Sequence, residues 1–401
     1  MLAMCDGEHN FASPAFLPQH RAILRELIGA GLAFRCPRGF TGSAPVILGA
    51  HWSVTGRCNL KCRHCYMNAP EGQAELPLAA MERIVKALCE SGATGVKLTG
   101  GEPLIRKDFF LLIDLITENG LAVTNIYTNA TLIDDRVLAQ FEQAGVHPVF
   151  HVSFDGVGAH EIMRNVPGAE ANTLRGIRCL LEAGYTVTVA TSVDENVLPT
   201  LEKTYELMRE MGVHAWGMAR PMAAGCGKKL DRIGDERFAQ ACEAVLLRWK
   251  QDGKPFTLGL EAFYSEAVTP DMHRVIRPIE QKRYSCSGCR QYPHITHKGD
   301  LLPCACYAET EYGGLFGNLP KDGWQKAWNN PTLRKTMDVT LEEVYQANPE
   351  CRSCVYLPQC RTGCRVNAVL YGNGLTGLDT LTCGIFHGGL RERFASIGGQ
   401  A

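Results

Sequence analysis

Apolar runs of strand length alternate with amphipathic helical patterns over residues 46–220 of this 401-residue chain. The first run, VILGAHWSVT, begins at Val46, and LPLAAMERIVKALCESG follows it with helical periodicity and a glycine stop. Five more strand-and-helix pairs follow in the same order. This alternation predicts a parallel sheet with right-handed crossovers. Six units are too few for a closed eight-fold barrel, so the pattern favours an open, partial (β/α)6 TIM-like barrel of the α/β class.

The pattern changes towards the C-terminus. DERFAQACEAVLLRWK, which begins at Asp235, predicts a helix that closes the core. After about residue 275, crowded cysteines and short Gly- and Pro-punctuated segments replace the helical periodicity. We therefore predict an N-terminal extension or cap at 1–45, a barrel core at 46–275 and a cysteine-rich domain held by iron–sulfur clusters at 276–401.

Composition narrows the class of protein. The formal net charge is -1 and no long basic block occurs, so the sequence gives no sign of binding nucleic acid. No apolar run is long enough to cross a bilayer, and the N-terminus lacks the pattern of a signal peptide, so we expect a cytoplasmic protein. Eighteen cysteines in a reducing compartment point to metal or clusters rather than to disulfides.

Three of these cysteines, Cys58, Cys62 and Cys65, follow the first predicted strand with the spacing C-x3-C-x2-C. A structural zinc site uses four ligands and a disulfide uses pairs, whereas three thiolates can hold a 4Fe–4S cluster with one iron left open. The alternative is a zinc site with His64 as a fourth ligand. At the carboxyl end of a strand, these thiols lie where such sheets carry their chemistry.

The stretch CNLKCRHCY resembles the signature of the radical S-adenosylmethionine (SAM) superfamily. The resemblance implies that Cys58, Cys62 and Cys65 are catalytic cluster ligands and that the open iron binds SAM. One electron from the cluster would then cleave a sulfonium C–S bond of SAM. The resulting 5′-deoxyadenosyl radical would abstract a hydrogen atom from the substrate.

Further strand ends match the same family. TGGEPL resembles its GGEP loop, YTNA resembles its TNG motif with Ala130 in place of glycine, and His160 and Arg164 resemble an H-x3-R element whose arginine pairs with the SAM carboxylate. For Ser153 and Arg164, local capping or a surface ion pair is the alternative. The resemblance and the strand ends together suggest the following cofactor-binding residues: Tyr66, Gly100, Gly101, Glu102, Thr128, Asn129, Ser153, Asp155, Arg164, Thr191 and Arg220.

The C-terminal cysteines have the spacing C-x2-C-x5-C-x3-C followed by one more, which resembles the seven-cysteine SPASM domain. The resemblance implies two auxiliary 4Fe–4S clusters, and therefore three clusters in all. Its ligand pattern gives one auxiliary cluster to Cys286, Cys289, Cys304 and Cys364, and the other to Cys351, Cys354, Cys360 and Cys383. Cys306 is left over and could replace Cys286 or Cys289. Two structural zinc sites are the alternative.

Resemblance to SPASM-type enzymes implies a peptide substrate, so the first functional hypothesis is a maturase of a ribosomally made precursor peptide that forms a crosslink or thioether or excises a fragment. The alternatives are a sulfatase-maturing enzyme that forms formylglycine and a radical SAM dehydrogenase of small molecules such as tetrapyrroles. A non-catalytic iron–sulfur electron carrier is a third hypothesis, although it would not need a SAM site. We also expect a reductant such as flavodoxin or ferredoxin. Because only about 45 residues precede the first strand, a separate peptide-recognition protein is a further expected partner.

Overall fold

The computed structural model describes residues 47–69, 75–265, 284–286 and 288–398. The predicted N-terminal extension therefore lies outside the described residues, and so does the domain boundary expected near residue 275. Both stay predictions.

All six predicted strands are present, and each contributes buried apolar side chains to the core. The strands are β1 (Gly49–Ser53), β2 (Gly95–Thr99), β3 (Ala122–Thr128), β4 (Val149–Ser153), β5 (Val187–Ser192) and β6 (Ala215–Ala219). They pair in chain order and in parallel. This is the sheet that alternating strands and helices predict.

The helices that connect these strands are amphipathic and turn their apolar faces towards the sheet. Their bounds are α1 (Leu78–Glu90), α2 (Phe109–Glu118), α3 (Asp135–Gln143), α4 (His160–Arg164), α5 (Ala169–Glu182), α6 (Leu201–Met211) and α7 (Asp235–Gln251). The helix predicted to begin at Asp235 is α7. Large side chains such as Trp52, Phe150 and Trp216 are fully buried between the layers. Each contributes roughly 1.5–3 kcal/mol of hydrophobic stabilisation by area, as an order of magnitude.

Four more strands extend the sheet to ten: β7 (Thr257–Leu260), β8 (Tyr264–Ser265), β9 (His294–Ile295) and β10 (Leu301–Leu302). The β9–β10 hairpin comes from the cysteine-rich part of the chain, yet β9 pairs in parallel with β1. The strand order is therefore β10-β9-β1-β2-β3-β4-β5-β6-β7-β8. This arrangement places the cysteine-rich part beside the strand that precedes the cysteine triplet.

The remaining described chain is built from short helices: α8 (Gly288–Gln291), α9 (Leu319–Trp328), α10 (Pro331–Met337), α11 (Leu341–Ala347), α12 (Leu357–Cys360), α13 (Arg365–Leu370), α14 (Thr380–His387) and α15 (Leu390–Gly398). Helix α9 packs on α1, and α15 packs on α7 and β8. None of the helices in the described ranges combines the length and apolarity that a bilayer crossing requires.

Candidate active site

The three thiols of the cysteine triplet, Cys58, Cys62 and Cys65, lie in the loop after β1 and are all half-buried. All three line one cavity of about 740 Å³ at the carboxyl ends of the parallel strands. Burial raises the pKa of the Cys58 thiol to about 12. A thiol that coordinates a metal loses its proton outright, so this donor set suits a bound iron better than a free thiol.

Each sulfur atom of the triplet accepts a hydrogen bond from a nitrogen of the surrounding chain, in addition to a longer one that Cys58 accepts from the Asn129 side-chain amide at 3.9 Å. The donors are, in chain order of the cysteines, the backbone N–H of Leu60 at 3.4 Å, the guanidinium of Arg164 at 3.5 Å and the backbone N–H of Ala69 at 3.4 Å. Hydrogen bonds to the sulfurs are one of the means by which a protein holds a cluster and sets its potential. The triplet therefore fits an iron–sulfur cluster.

Gly100 and Gly101 bring the end of β2 against the backbone of the triplet loop. A Cβ atom added to Gly100 would lie 2.4 Å from the carbonyl oxygen of Thr55, and one added to Gly101 would lie 2.1 Å from that of Arg57. Gly100 also has φ +148°, a conformation that side chains rarely adopt. The N–H of Gly101 donates to the Thr55 carbonyl at 3.0 Å. Both glycines line the cavity. The close approach of the two backbones explains why glycine occurs at each of these positions.

Glu102 is fully buried and ties the end of β2 to the end of β3. One carboxylate oxygen accepts from the Thr128 hydroxyl at 2.8 Å, and the other accepts from the Asn129 N–H at 2.8 Å. Burial raises the pKa of Glu102 to about 7, although these hydrogen bonds oppose the shift. Thr128 and Asn129 line the cavity, whereas Glu102 stands behind them. In this structure Glu102 positions its neighbours.

Asp155 and Arg164 form a buried two-point ion pair. The Arg164 Nε lies 2.7 Å from one Asp155 oxygen, and a terminal nitrogen donates to the other at 3.0 Å. Burial alone would raise the pKa of Asp155, but the guanidinium holds it below its ordinary range. Because Arg164 also donates to Cys62, it links this pair to the triplet. Ser192 completes the network by donating its N–H to Asp155 at 3.1 Å.

His160 is fully buried and binds the backbone of this network. Its Nδ1 accepts from the N–H of Asp155 at 3.0 Å, and its ring stacks on Phe154 at 4.8 Å between centroids. Burial lowers the pKa of His160 to about 3, so the ring is neutral at physiological pH. The histidine of the H-x3-R element therefore supports the strand end, while the arginine reaches the cavity.

The remaining predicted SAM contacts separate into two pairs. Tyr66 and Ser153 line the cavity. Thr191 instead donates to the Phe154 carbonyl at 2.6 Å and accepts from Trp216 Nε1 at 2.8 Å. The Arg220 guanidinium is buried against both carboxylate oxygens of Glu261, at 2.7 and 3.0 Å. Neither Thr191 nor Arg220 is among the described residues that line the cavity, so structural roles are favoured for both.

Part of the C-terminal cysteine set faces the same cavity as the triplet. Cys286, Cys304 and Cys364, here called the proximal group, all line its wall. The fourth predicted ligand, Cys289, has a side chain outside the described ones. Cys306 lies close enough to Cys364 for its charge to raise the Cys306 pKa, after the larger effect of burial. The proximal group is therefore brought together as predicted, and its ligand assignment stays a prediction.

The other four C-terminal thiols form a separate distal group. Cys351, Cys354, Cys360 and Cys383 line one pocket of about 190 Å³. Within the described chain, no three His, Cys, Asp or Glu side chains converge tightly enough to hold a single metal ion. A cluster spreads its ligands over several irons, so wider spacing is what such thiols require. These are the four cysteines that the SPASM resemblance assigned to one cluster, and their ligand roles stay a prediction.

The sequence reading missed a polar layer inside the sheet. His51 on β1, Lys97 on β2 and Tyr127 on β3 line the cavity, and His151 on β4 stacks on Tyr127 at 4.5 Å between centroids. Strands that are buried on both faces usually have continuous apolar sequences, so polar residues are not expected inside them. One histidine, lysine or tyrosine inside each of four successive strands was the signal that could have identified them.

Comparisons with known proteins agree with this architecture. Residues 52–216 match the model of the radical SAM superfamily, and residues 286–355 match that of the SPASM iron–sulfur cluster-binding domain. The first match begins near the end of β1, includes the triplet and ends at the second residue of β6, and the second match ends before Cys360, Cys364 and Cys383. These two domains imply SAM and more than one 4Fe–4S cluster as cofactors.

Among curated proteins, the chain is 27% identical to the AdoMet-dependent heme synthase of Methanosarcina barkeri over 79% of this chain and 90% of that protein. It is 26% identical to the PqqA peptide cyclase of Gluconobacter oxydans over 80% of this chain and 86% of that protein. Streptococcus suis SuiB bound to the precursor peptide SuiA has a similar fold, with a TM-score of 0.65 and 17% identity over 91% of this chain and 80% of that one. The chain therefore contains a radical SAM domain over residues 52–216 and a SPASM iron–sulfur cluster-binding domain over residues 286–355.

Proposed function

We propose that this chain is a radical SAM enzyme that removes a hydrogen atom from a carboxylate-bearing substrate, with a tetrapyrrole as the first candidate. When bound, SAM and the cluster at the triplet supply the radical that takes this hydrogen atom. The observation that carries the choice of substrate is the charge of the cavity. None of its lining residues in the described ranges is Asp or Glu, whereas Lys97, Arg164 and Arg365 line it.

These three cations are not equally available to a substrate. Arg164 is paired with Asp155, and Arg365 donates to the backbone carbonyls of Leu375 at 3.2 Å and Gly377 at 2.7 Å. Lys97 has no carboxylate partner among the described residues. Lys97 therefore gives the cavity one cation without a carboxylate partner, and a carboxylate of the substrate can supply that partner.

The tetrapyrrole candidate rests on charge and on sequence likeness. Tetrapyrroles related to heme carry propionate side chains, so they bring several carboxylates into a site of this kind. The alignment with the AdoMet-dependent heme synthase covers nearly the full length of that protein. This likeness and the cation-bearing cavity support a tetrapyrrole ahead of the peptide that the sequence first suggested.

A precursor peptide is the second candidate. Its support is the comparable likeness to PqqA peptide cyclase, which also extends over most of both chains. A peptide with an acidic side chain or a free C-terminus would meet the same requirement for a carboxylate. The two candidates therefore differ in what carries the carboxylate.

In this proposal, different residues of the chain have different roles. The triplet would hold the SAM-binding cluster, and Gly100, Gly101, Ser153 and Arg164 would contact SAM at the strand ends. The proximal group would hold an auxiliary cluster beside the substrate. A substrate radical must lose one further electron to become a closed-shell product, and an electron acceptor in the wall of the substrate cavity suits that need.

The proposal is tested anaerobically with protein reconstituted with iron and sulfide. SAM, dithionite and iron coproporphyrin III, a tetrapyrrole with propionate arms, are added, and 5′-deoxyadenosine and the porphyrin mass are followed. Formation of deoxyadenosine together with loss of carbon dioxide and hydrogen from the porphyrin supports the tetrapyrrole. An unchanged porphyrin, with hydrogen loss instead from a peptide encoded beside this chain, replaces it by the peptide. Absence of SAM cleavage in cluster-loaded protein favours the electron-carrier alternative.

A further inference from the structure

The polar layer inside the sheet is not explained by binding of SAM. His51, Lys97, Tyr127 and His151 lie within four neighbouring parallel strands, where apolar side chains are the rule. His51 is in register with Lys97, and Tyr127 is in register with His151. Polar groups taken into a sheet interior cost free energy unless they have partners, so such a layer requires an explanation.

His151 has its partners within the protein. Its Nε2 accepts from the Asn125 side-chain amide at 2.8 Å, and its Nδ1 donates to the Thr188 hydroxyl at 2.6 Å. Its ring stacks on Tyr127 with an angle of 10° between the planes. His151 therefore fixes the ring of Tyr127 and is itself a structural residue.

Lys97 is in the opposite situation. Its Nζ lies 4.4 Å from the centre of the Tyr292 ring, and no carboxylate in the described chain pairs with it. Burial lowers the pKa of Lys97, as expected for an ammonium group in a cavity without a counter-ion. The same burial, with the charge of Lys97 as the second cause, lowers the pKa of His51 to about 4. The imidazole beside Lys97 is therefore neutral and can donate a hydrogen bond.

The strand geometry determines how far Lys97 lies below the carboxyl ends of the strands. Lys97 lies two residues before Thr99, which corresponds to about 7 Å along the strand. Thr99 immediately precedes the Gly100–Gly101 cradle of the triplet loop. Lys97 and His51, which are in register, thus lie about one layer deeper in the sheet than the strand ends. Tyr127 lies two residues beyond Asn125, the β3 partner of Lys97, and so stands above them at the strand ends, and all three line the same cavity.

We propose that Lys97, with His51 and Tyr127, forms a carboxylate-binding subsite that anchors an anionic arm of the substrate below the strand ends. The ammonium group supplies the charge, and the imidazole and phenol supply hydrogen-bond donors. Anchoring at this depth leaves the rest of the substrate nearer the cysteine triplet. The proposal rests on the proposed function only in requiring a substrate with a carboxylate, whatever molecule carries it.

The first test does not depend on turnover. Crystals of cluster-loaded, SAM-bound protein are soaked with 4-bromobenzoate, an aryl bromide that does not alkylate thiols, whose bromine is located by anomalous scattering and whose carboxylate is then placed in density. We expect the carboxylate within hydrogen-bond distance of Lys97 Nζ, and its loss from the Lys97→Met variant. If the wild-type cavity holds the probe at another position, or holds no probe, the proposed carboxylate subsite is overturned.

The second test measures the affinity for a large anion. Iron coproporphyrin III is titrated into wild type, Lys97→Met and Lys97→Arg, with Lys86→Met on the exposed face of α1 as a control that loses the same charge outside the cavity. We expect about ten- to hundredfold weaker binding for Lys97→Met, partial recovery in Lys97→Arg, and no change for Lys86→Met. Equal affinities for wild type and Lys97→Met would count against the subsite.

A purely structural role for Lys97 makes a different prediction. Met fills a similar volume without a buried charge, so the melting temperature of Lys97→Met is expected to hold or rise while affinity falls. A variant that loses both stability and affinity would assign Lys97 to packing. If wild type binds 4-bromobenzoate at Lys97 but not the porphyrin, the tetrapyrrole proposal fails and the carboxylate subsite stands.

Discussion

The cysteine triplet and the distal group hold sulfur atoms in two contrasting environments. The triplet opens on a cavity of about 740 Å³, and a buried arginine links it to Asp155. The distal group lines a pocket of about 190 Å³ whose other walls include Leu357, Leu378 and Phe386. Three thiols leave an iron free for a ligand, whereas four close the cluster. The comparison indicates that the triplet lies beside a large space and a buried charge, while the distal group lines a smaller pocket with several apolar walls.

The buried carboxylates of the two regions are stabilised differently. Asp155 is neutralised by a guanidinium, but Asp379 accepts from the N–H of Cys364 at 2.7 Å and the hydroxyl of Thr382 at 2.6 Å. An ion pair leaves an unpaired charge when it is broken, and a hydrogen-bonded cap leaves an unsatisfied N–H. The region around the triplet should therefore be the more sensitive to mutation.

The largest expected effect distinguishes the triplet from the distal group by whether SAM cleavage or only substrate oxidation is lost. Cys62→Ala should lower SAM cleavage by about a thousandfold or more, because two thiols cannot hold the SAM-binding cluster. Cys383→Ala should leave SAM cleavage within about tenfold of wild type and abolish substrate oxidation. Deoxyadenosine is measured by chromatography, with Cys179→Ala, a half-buried thiol outside the three groups, as the control. Equal loss of SAM cleavage in Cys62→Ala and Cys383→Ala would remove the distinction.

The next effect concerns the ion pair beside the triplet. Arg164→Met leaves Asp155 buried without its partner, and we expect the free energy of unfolding to fall by about 3–5 kcal/mol. The double variant Asp155→Asn/Arg164→Met should recover part of this loss, because the stranded charge is gone. Anaerobic urea unfolding of cluster-loaded protein gives the values. If the double variant is no more stable than Arg164→Met, the cost lies in packing or in the lost contact with Cys62.

A smaller effect is expected on the distal side. Asp379 caps α14 and also holds the N–H of Cys364, so Asp379→Ala should cost about 2 kcal/mol. The matched control is Asp134→Ala, which removes a cap of α3 with a bond only to the Val137 N–H at 2.9 Å. That control should cost about 1 kcal/mol. Equal costs in the same urea series would show that Asp379 acts as a cap alone.

How far the sequence predicted the molecule depends on how local each signal was. The distal thiols are grouped through the SPASM resemblance, whereas the six strands and α7 follow from periodicity, because that pattern acts over a few residues. The pairing of β9 with β1 did not, because two-residue strands carry almost no periodic signal. Thr191 and Arg220 show the same limit. Their positions at strand ends matched a binding role, but the partners that occupy them, Trp216 and Glu261, lie 25 and 41 residues away in the chain.

The smallest effect tests whether Glu102, the buried carboxylate behind the triplet, titrates as its surroundings imply. Burial raises its pKa to about 7 in the folded protein, from an ordinary value of 4.5. The folded state therefore binds the proton more tightly than the unfolded state, so this contribution to stability is complete below pH 4.5 and disappears as the pH rises through 7. The Glu102→Gln variant cannot titrate and should lack that decline. Buried histidines such as His160 give the opposite slope, but they do so in both proteins. The difference in unfolding free energy between wild type and variant should thus change steadily between pH 4.5 and 7, and parallel curves would mean that Glu102 keeps an ordinary pKa.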